Sequence, residues 1–209
     1  MTQERLYLHP PRERVTRAQR EALNGHRGAV LWFTGLSGAG KSTLAHLLEE
    51  RLFKSGVHVR VLDGDNVRRG LCADLDFSAA GRHENLRRIA EMCKLFADTG
   101  LVVLAAFISP LTADREQARA ILGELDFLEV HCDCPLAVCE ARDVKGLYRR
   151  ARAGEIPEFT GISAPYEPPE HPALALDTSR QDEETCLRAL LALLRERGII
   201  GMHHAGEAR

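Results

Sequence analysis

The sequence predicts an α/β fold, a parallel sheet with helices on both faces and a lid segment. Three observations carry that expectation. Short apolar runs alternate with segments of helical periodicity along most of the 209 residues. The first apolar run, Ala29–Phe33, leads into Gly-Leu-Ser-Gly-Ala-Gly-Lys-Ser-Thr at 35–43, after which Leu44, Leu47, Leu48 and Leu52 recur at helical spacing. This strand–loop–helix setting of G-x-x-x-x-G-K-[ST] makes the sheet one of the P-loop NTPase type. Finally, residues 143–172 hold Gly146, Gly154, Gly161 and five prolines, more than a simple connection needs, and such loops in compact domains are commonly functional.

The remaining elements follow in order. Val57–Leu62 reads as a second strand ending at Asp63-Gly64-Asp65, and 82–98 as a helix with Leu86, Ile89, Ala90, Cys93, Phe96 and Ala97 on one face. Leu101–Phe107 is nearly all apolar, as a strand covered on both faces must be. A helix over 112–122, a strand over 127–132, a short helix over 135–142 and a strand at Leu174–Asp177 come next. Leu187, Leu190, Leu191 and Leu194 mark the last helix. The expected organisation is an arm with one short helix at 1–27, one domain at 28–200 containing the lid, and a tail at 201–209, with no repeat and no second domain.

A formal net charge of −2 offers no basic field for nucleic acid. The longest apolar runs are too short to span a bilayer, and the first residues lack the apolar core of a signal peptide. The expected compartment is the cytoplasm. Cys132-Asp-Cys134 with Cys139 departs from paired C-x-x-C spacing, so the six cysteines read as buried thiols rather than a zinc site.

Ligands of open α/β sheets bind beyond the carboxyl ends of the strands, so residues just after each strand carry the chemistry. In the first loop, Gly35, Leu36, Ser37, Gly38, Ala39, Gly40, Lys41, Ser42 and Thr43 would cradle a nucleoside triphosphate, with Lys41 on the β/γ-phosphates and the Ser42 hydroxyl on Mg²⁺. After the second strand, Asp63 and Asp65 would point the same way, either to order Mg²⁺ waters or accept a hydroxyl proton, or merely to cap a helix. The third strand ends in Ile108-Ser109-Pro110, without an acid. Arg68 and Arg69 suit an anionic acceptor, and Arg82 and Asn85, three residues apart on a helix, can face one ligand. Phe77 and Phe159 lie outside the periodic core. They either sandwich a flat base or anchor their loops on the core, and residue chemistry alone favours the second.

Taken together, LWFTGLSGAGKST at 31–43, DGDNVR at 63–68, R-x-E-N-x-R-R-I at 82–89, AAFISP at 105–110, CEARD at 139–143, KGLY at 145–148, FTGI at 159–162 and PYEP at 165–168 resemble the adenylyl-sulfate kinases. The likeness runs from about Val15 to the final helix. It implies an ATP- and Mg²⁺-dependent kinase that phosphorylates the 3′-hydroxyl of adenylyl sulfate, works in sulfate assimilation, and is commonly a homodimer. By the resemblance, Asp65 is the carboxylate at the reacting hydroxyl, and Asn66, Val67 and Arg68 line the adenylyl sulfate site. Phe77 and Phe159 stack on its adenine, Arg82 and Asn85 grip its phosphosulfate and base region, and Ile108, Ser109, Lys145 and Thr160 complete the pocket. Arg142 falls to the ATP side. Ser109 matches a serine described as a phosphorylated intermediate, which direct in-line transfer does not need.

The chain departs from that pattern at Cys72-Ala73 (usually Asn-Lys), at Gly81 (usually Asp), at Val144 (commonly Pro), and in the 131–134 and 163–164 segments. None removes a phosphate, Mg²⁺ or acceptor group. The alternatives are a kinase of this fold for a sugar acid or antibiotic, and a nucleotide-binding switch without turnover.

Overall fold

The strand Ala29–Thr34 (β1) is buried along its whole length because two strands flank it and helices cover both its faces. The computed structural model of the protein describes residues 14–201, without the side chain of Asp65. Residues 1–13 of the expected arm and 202–209 of the tail lie outside the described residues. The other strands are β2 (Val59–Asp63), β3 (Val102–Ala106), β4 (Asp126–Asp133) and β5 (Leu174–Asp177). They form one parallel sheet in the order β2-β3-β1-β4-β5.

The helices are α1 (Arg17–Asn24), α2 (Lys41–Lys54), α3 (Gly64–Arg68), α4 (Ala79–Asp98), α5 (Thr112–Leu122), α6 (Leu136–Arg142), α7 (Leu147–Arg152) and α8 (Glu183–Glu196). Strand alternation sends Leu31 and Phe33 of β1 into one core with Leu44 and Leu48 of α2 and Leu190 and Leu194 of α8. Val30 and Trp32 enter the opposite core with Leu86, Ile89 and Cys93 of α4 and Ala118 and Leu122 of α5. All six cysteines are buried and free, and no group of three or more His, Cys, Asp or Glu suited to a metal exists among the described residues.

Three sequence expectations need correction. The turn after β2 is a helix, α3, because the Asp63 carboxylate caps it by accepting from the Asn66 N–H at 2.9 Å. Strand periodicity therefore stops at Asp63 and does not extend to Asp65. The helix expected at 82–98 begins at Ala79, where the Ser78 hydroxyl accepts from the Gly81 N–H. The 143–172 segment is not structureless: Asp143 accepts from the Tyr148 and Arg149 N–H groups and starts α7. Tyr148, Ala151, Phe159 and Thr160 of that segment are buried.

Candidate active site

The loop from Gly35 to Gly40 lies at the carboxyl end of β1, and its backbone explains its glycines. Gly35 has φ 146°, and a Cβ there would stand 2.6 Å from the Cys132 carbonyl oxygen. Gly40 has φ 85° and is the N-cap of α2; lacking a side chain, it leaves the first N–H groups of the helix without a side-chain cap. Ser42 and Thr43 are exposed in that first turn. Every carbonyl in the loop is held. Lys41 donates to Gly35 (2.9 Å) and Leu36 (2.7 Å), Tyr148 to Ser37 (2.8 Å), Arg142 to Gly38 (3.2 Å) and Thr178 to Ala39 (3.0 Å). With the carbonyls held, the loop N–H groups other than those of Gly35 and Ala39, which donate to Ile108 and Leu36, are left to face an anion, the arrangement of an anion-binding nest.

Lys41 is 8% exposed. Burial pushes its ammonium down to about 8, and the positive charge of Lys145, reaching it from the lid, acts in the same direction. Tyr148 and Thr178 were not assigned roles from sequence. Their only signals were the KGLY segment and, for Thr178, a position just after the last strand.

The second cluster follows β2 and β3. Val67 is buried, Asn66 is exposed, and Arg68 lies 4.1 Å above the Phe77 ring while donating to the Leu75 and Asp76 carbonyls. Arg82 donates to the carbonyls of Phe77 (2.8 Å) and Glu158 (2.6 Å) and to the Thr160 hydroxyl (3.4 Å). One guanidinium thus ties the Phe77 loop to the Phe159 loop. The two phenylalanines differ: Phe77 is 66% exposed, whereas Phe159 is 8% exposed and meets Tyr148 edge-on at 5.1 Å. Phe159 is packed against Tyr148, whereas Phe77 stands clear of the core.

Asn85 is buried, and its Oδ1 has no hydrogen-bond partner. Such an oxygen costs about 1–3 kcal/mol unless a donor reaches it. Gly81, standing where the resemblance expects an acid, leaves no room for one: a Cβ would lie 2.3 Å from an Asp76 carboxylate oxygen. Lys145 is exposed, and the backbone of Asp65 lies in α3.

Ile108 and Ser109 join the clusters. The Ile108 carbonyl accepts from the Gly35 N–H (3.4 Å) and the Thr34 hydroxyl (2.8 Å). Ser109 is 2% exposed with φ 39°, a region L-residues rarely adopt, and its hydroxyl accepts from the Trp32 indole N–H at 3.1 Å. The phosphate loop and the Ser109 turn are therefore fixed to each other.

The profile of the adenylylsulphate kinase family matches residues 27–177. The chain is similar to the adenylyl-sulfate kinase of Acaryochloris marina, 56% identical over 186 residues that cover 89% of this chain and 91% of that one. It is 58% identical to the adenylyl-sulfate kinase of Citrobacter koseri, also over 186 residues, covering 89% and 92% of the two chains. Among solved structures it is similar to the Mycobacterium tuberculosis APS kinase in complex with AMPPNP and APS, with TM-score 0.79, 49% identity, and 81% and 99% of the two chains covered. A gluconokinase from Sinorhizobium meliloti, 18% identical with TM-score 0.52 over 83% of this chain and 94% of that one, shares the fold alone. With a phosphate nest, an arginine strap between two aromatic loops, and these likenesses, the chain belongs to the adenylyl-sulfate kinase family.

Proposed function

We infer how this chain's own residues divide the family's reaction, in which the γ-phosphoryl group of ATP passes to the 3′-hydroxyl of adenylyl sulfate, giving ADP and 3′-phosphoadenylyl sulfate. The observation that carries the reading is the tie between nest and acceptor loops through Ile108, which accepts from both Gly35 and Thr34. It fixes the turn after β3 against the phosphate loop at the carboxyl end of the sheet.

On the donor side, the loop from Gly35 to Thr43, through the N–H groups it leaves unbonded, and the Lys41 ammonium bind the phosphates of ATP and stabilise charge as the γ-phosphoryl group transfers in line. Arg142, anchored on Gly38 and Thr178, flanks the nucleotide. On the acceptor side, Arg68 and Arg82 take the phosphosulfate, Phe77 and Phe159 take the adenine faces, and Asn66, Val67, Ile108 and Thr160 shape the walls. The unpartnered Asn85 oxygen is an acceptor suited to an exocyclic amine of the base. Asp65 orients or deprotonates the 3′-hydroxyl. Lys145 closes from the lid, which excludes water that would otherwise hydrolyse ATP. Ser109 acts as a positioning group, since its hydroxyl is buried on Trp32.

The donor set suits Mg²⁺. It offers the exposed Ser42 hydroxyl and no acidic cage among the described residues, and Mg²⁺ keeps its waters and takes phosphate oxygens in preference to an all-protein site. Ser42 would hold it, and when bound it neutralises charge on the β- and γ-oxygens.

No described helix is long and apolar enough to cross a membrane; cytoplasmic residence and assembly as a homodimer complete the reading, the latter checked by light scattering. The central test is ADP release from MgATP with and without adenylyl sulfate, with the nucleotide product identified by mass. Strong stimulation with 3′-phosphoadenylyl sulfate formed is the expected result. ATP turnover indifferent to adenylyl sulfate would sink the assignment of the acceptor site.

A further inference from the structure

The geometry points to Arg115 as the positioning residue that sets the acceptor pocket, by clamping the Ser109 turn and the returning limb of the lid in one plane. This rests on the acceptor-site reading above.

Arg115 lies in α5 and is 1% exposed. One terminal nitrogen donates to the Ser109 carbonyl at 2.8 Å. The other donates to the Glu167 carbonyl at 2.8 Å and the Thr112 hydroxyl at 3.2 Å. The guanidinium thus grips two segments at once: the strained residue in the turn after β3, and the chain returning from the Phe159 loop. A second set of bonds runs parallel to it. The Glu167 N–H donates to the Pro110 carbonyl (2.8 Å), and the Glu167 carboxylate accepts from the Thr112 N–H (2.7 Å) at the start of α5. Next to it, the Tyr166 hydroxyl is 3.1 Å from that of Thr34, at the end of β1.

A buried cation needs a counter-charge, and Glu129 of β4 supplies it. Its carboxylate is 2.7 Å from the Arg115 Nε and 3.3 Å from a terminal nitrogen of Arg119. The 2.7 Å approach is off the hydrogen-bond direction, so charge holds that contact. Glu129 pairs in register with Trp32, whose indole N–H holds the Ser109 hydroxyl. Ser109 is therefore fixed at its hydroxyl by Trp32 and at its carbonyl by Arg115. A fork of donors in one plane is what Arg offers and Lys does not.

The test separates positioning from mere stability. The double variant Arg115→Met/Glu129→Leu removes both charges together, which typically leaves a fold intact where removing one would not. The expected result is a KM for adenylyl sulfate raised about tenfold or more, as misplacement of a bound reactant produces, with the KM for ATP within about twofold and melting little changed. Recovery of both wild-type stability and wild-type kinetics would overturn the proposal, as would parallel rises in the two KM values. Should the double variant not fold, Arg115→Lys, which keeps the charge beside Glu129 but cannot fork, must show the same split. A wild-type KM for adenylyl sulfate in Arg115→Lys overturns it. Asn85→Ala in the same assay tells two failures apart. If Asn85→Ala raises that KM and Arg115→Lys does not, the acceptor site stands and the clamp falls; if neither raises it, the acceptor-site reading falls and the clamp with it.

Discussion

On the donor side of the site, five consecutive carbonyls from Gly35 to Ala39 each accept a bond, and two of the five are held by Lys41 at the end of the same loop. On the proposed acceptor side, Phe77 is two-thirds exposed, Asn85 carries an unpartnered oxygen, and the two aromatic loops are joined through Arg82, which reaches from residue 82 to Glu158 and Thr160. The donor cradle takes its shape from local backbone conformation and a lysine of its own loop, with Tyr148, Arg142 and Thr178 bolting it down from distant segments. The proposed acceptor pocket depends on the Arg82 guanidinium, which bridges two loops far apart in sequence. A local cradle tolerates loss of one bolt, whereas a bridged pocket depends on each bridge.

The largest effect should come from the group that both builds the cradle and meets the charge. Lys41→Ala should lower kcat by about 10²–10³-fold or more, as removal of a charge-stabilising donor does, while circular dichroism stays native. Retention of near-normal turnover would remove the loop from the mechanism. Next is the bridge itself: Arg82→Ala should raise the KM for adenylyl sulfate by about 10–100-fold, the scale of charged hydrogen bonds lost, and leave the KM for ATP nearly unchanged. Equal effects on both substrates would dissolve the contrast between the two sides.

The pH dependence sharpens the donor side. In the free protein burial holds Lys41 at about 8, and a bound triphosphate must raise it, because opposite charge favours the protonated form. Binding therefore takes up a proton when the pH is near or above 8. ATP affinity should be flat well below pH 8 and fall by up to about tenfold per unit above it. Calorimetry in buffers of different ionisation enthalpy reads the uptake directly, and a pH-independent affinity from 7 to 9.5 would contradict it. The smallest effect belongs to a single bolt. Tyr148→Phe deletes the bond to Ser37 and should weaken ATP binding by about fivefold, from a net hydrogen bond of about 1 kcal/mol, with the KM for adenylyl sulfate unchanged. A larger effect on adenylyl sulfate than on ATP would mean that Tyr148 acts chiefly through its contact with Phe159.

The shape of the loop after β1 was legible in the sequence because it is set locally. Conformation at Gly35 and Gly40 and the helix start at Lys41 are decided within a few residues, so a short motif records them. Asp63 shows where local reading stops. A carboxylate at a strand end suits a metal or a helix cap, and the bond from the Asn66 N–H at the start of α3 shows that it caps. The lid reads as a loop from its glycines and prolines, yet Asp143 starts a helix within it and Tyr148 roots that helix in the phosphate loop. Gly81 reads as the loss of an acid; the space Asp76 occupies shows why no side chain fits.

The sequence by itself determined the parallel α/β sheet and the phosphate loop, because alternation, helical period and glycine-bearing motifs act over short stretches of chain, and its joint segments carried the resemblance that implied the family and the reaction. Tertiary structure alone decided which side chains hold the loop carbonyls, how Arg82 joins two loops, why Ser109 is buried on Trp32, and that Arg115 and Glu129 meet behind the pocket. Each of these rests on groups placed within about 3.5 Å of each other from distant parts of the chain, the reach of a hydrogen bond or ion pair, and such proximity leaves no periodic trace in the sequence.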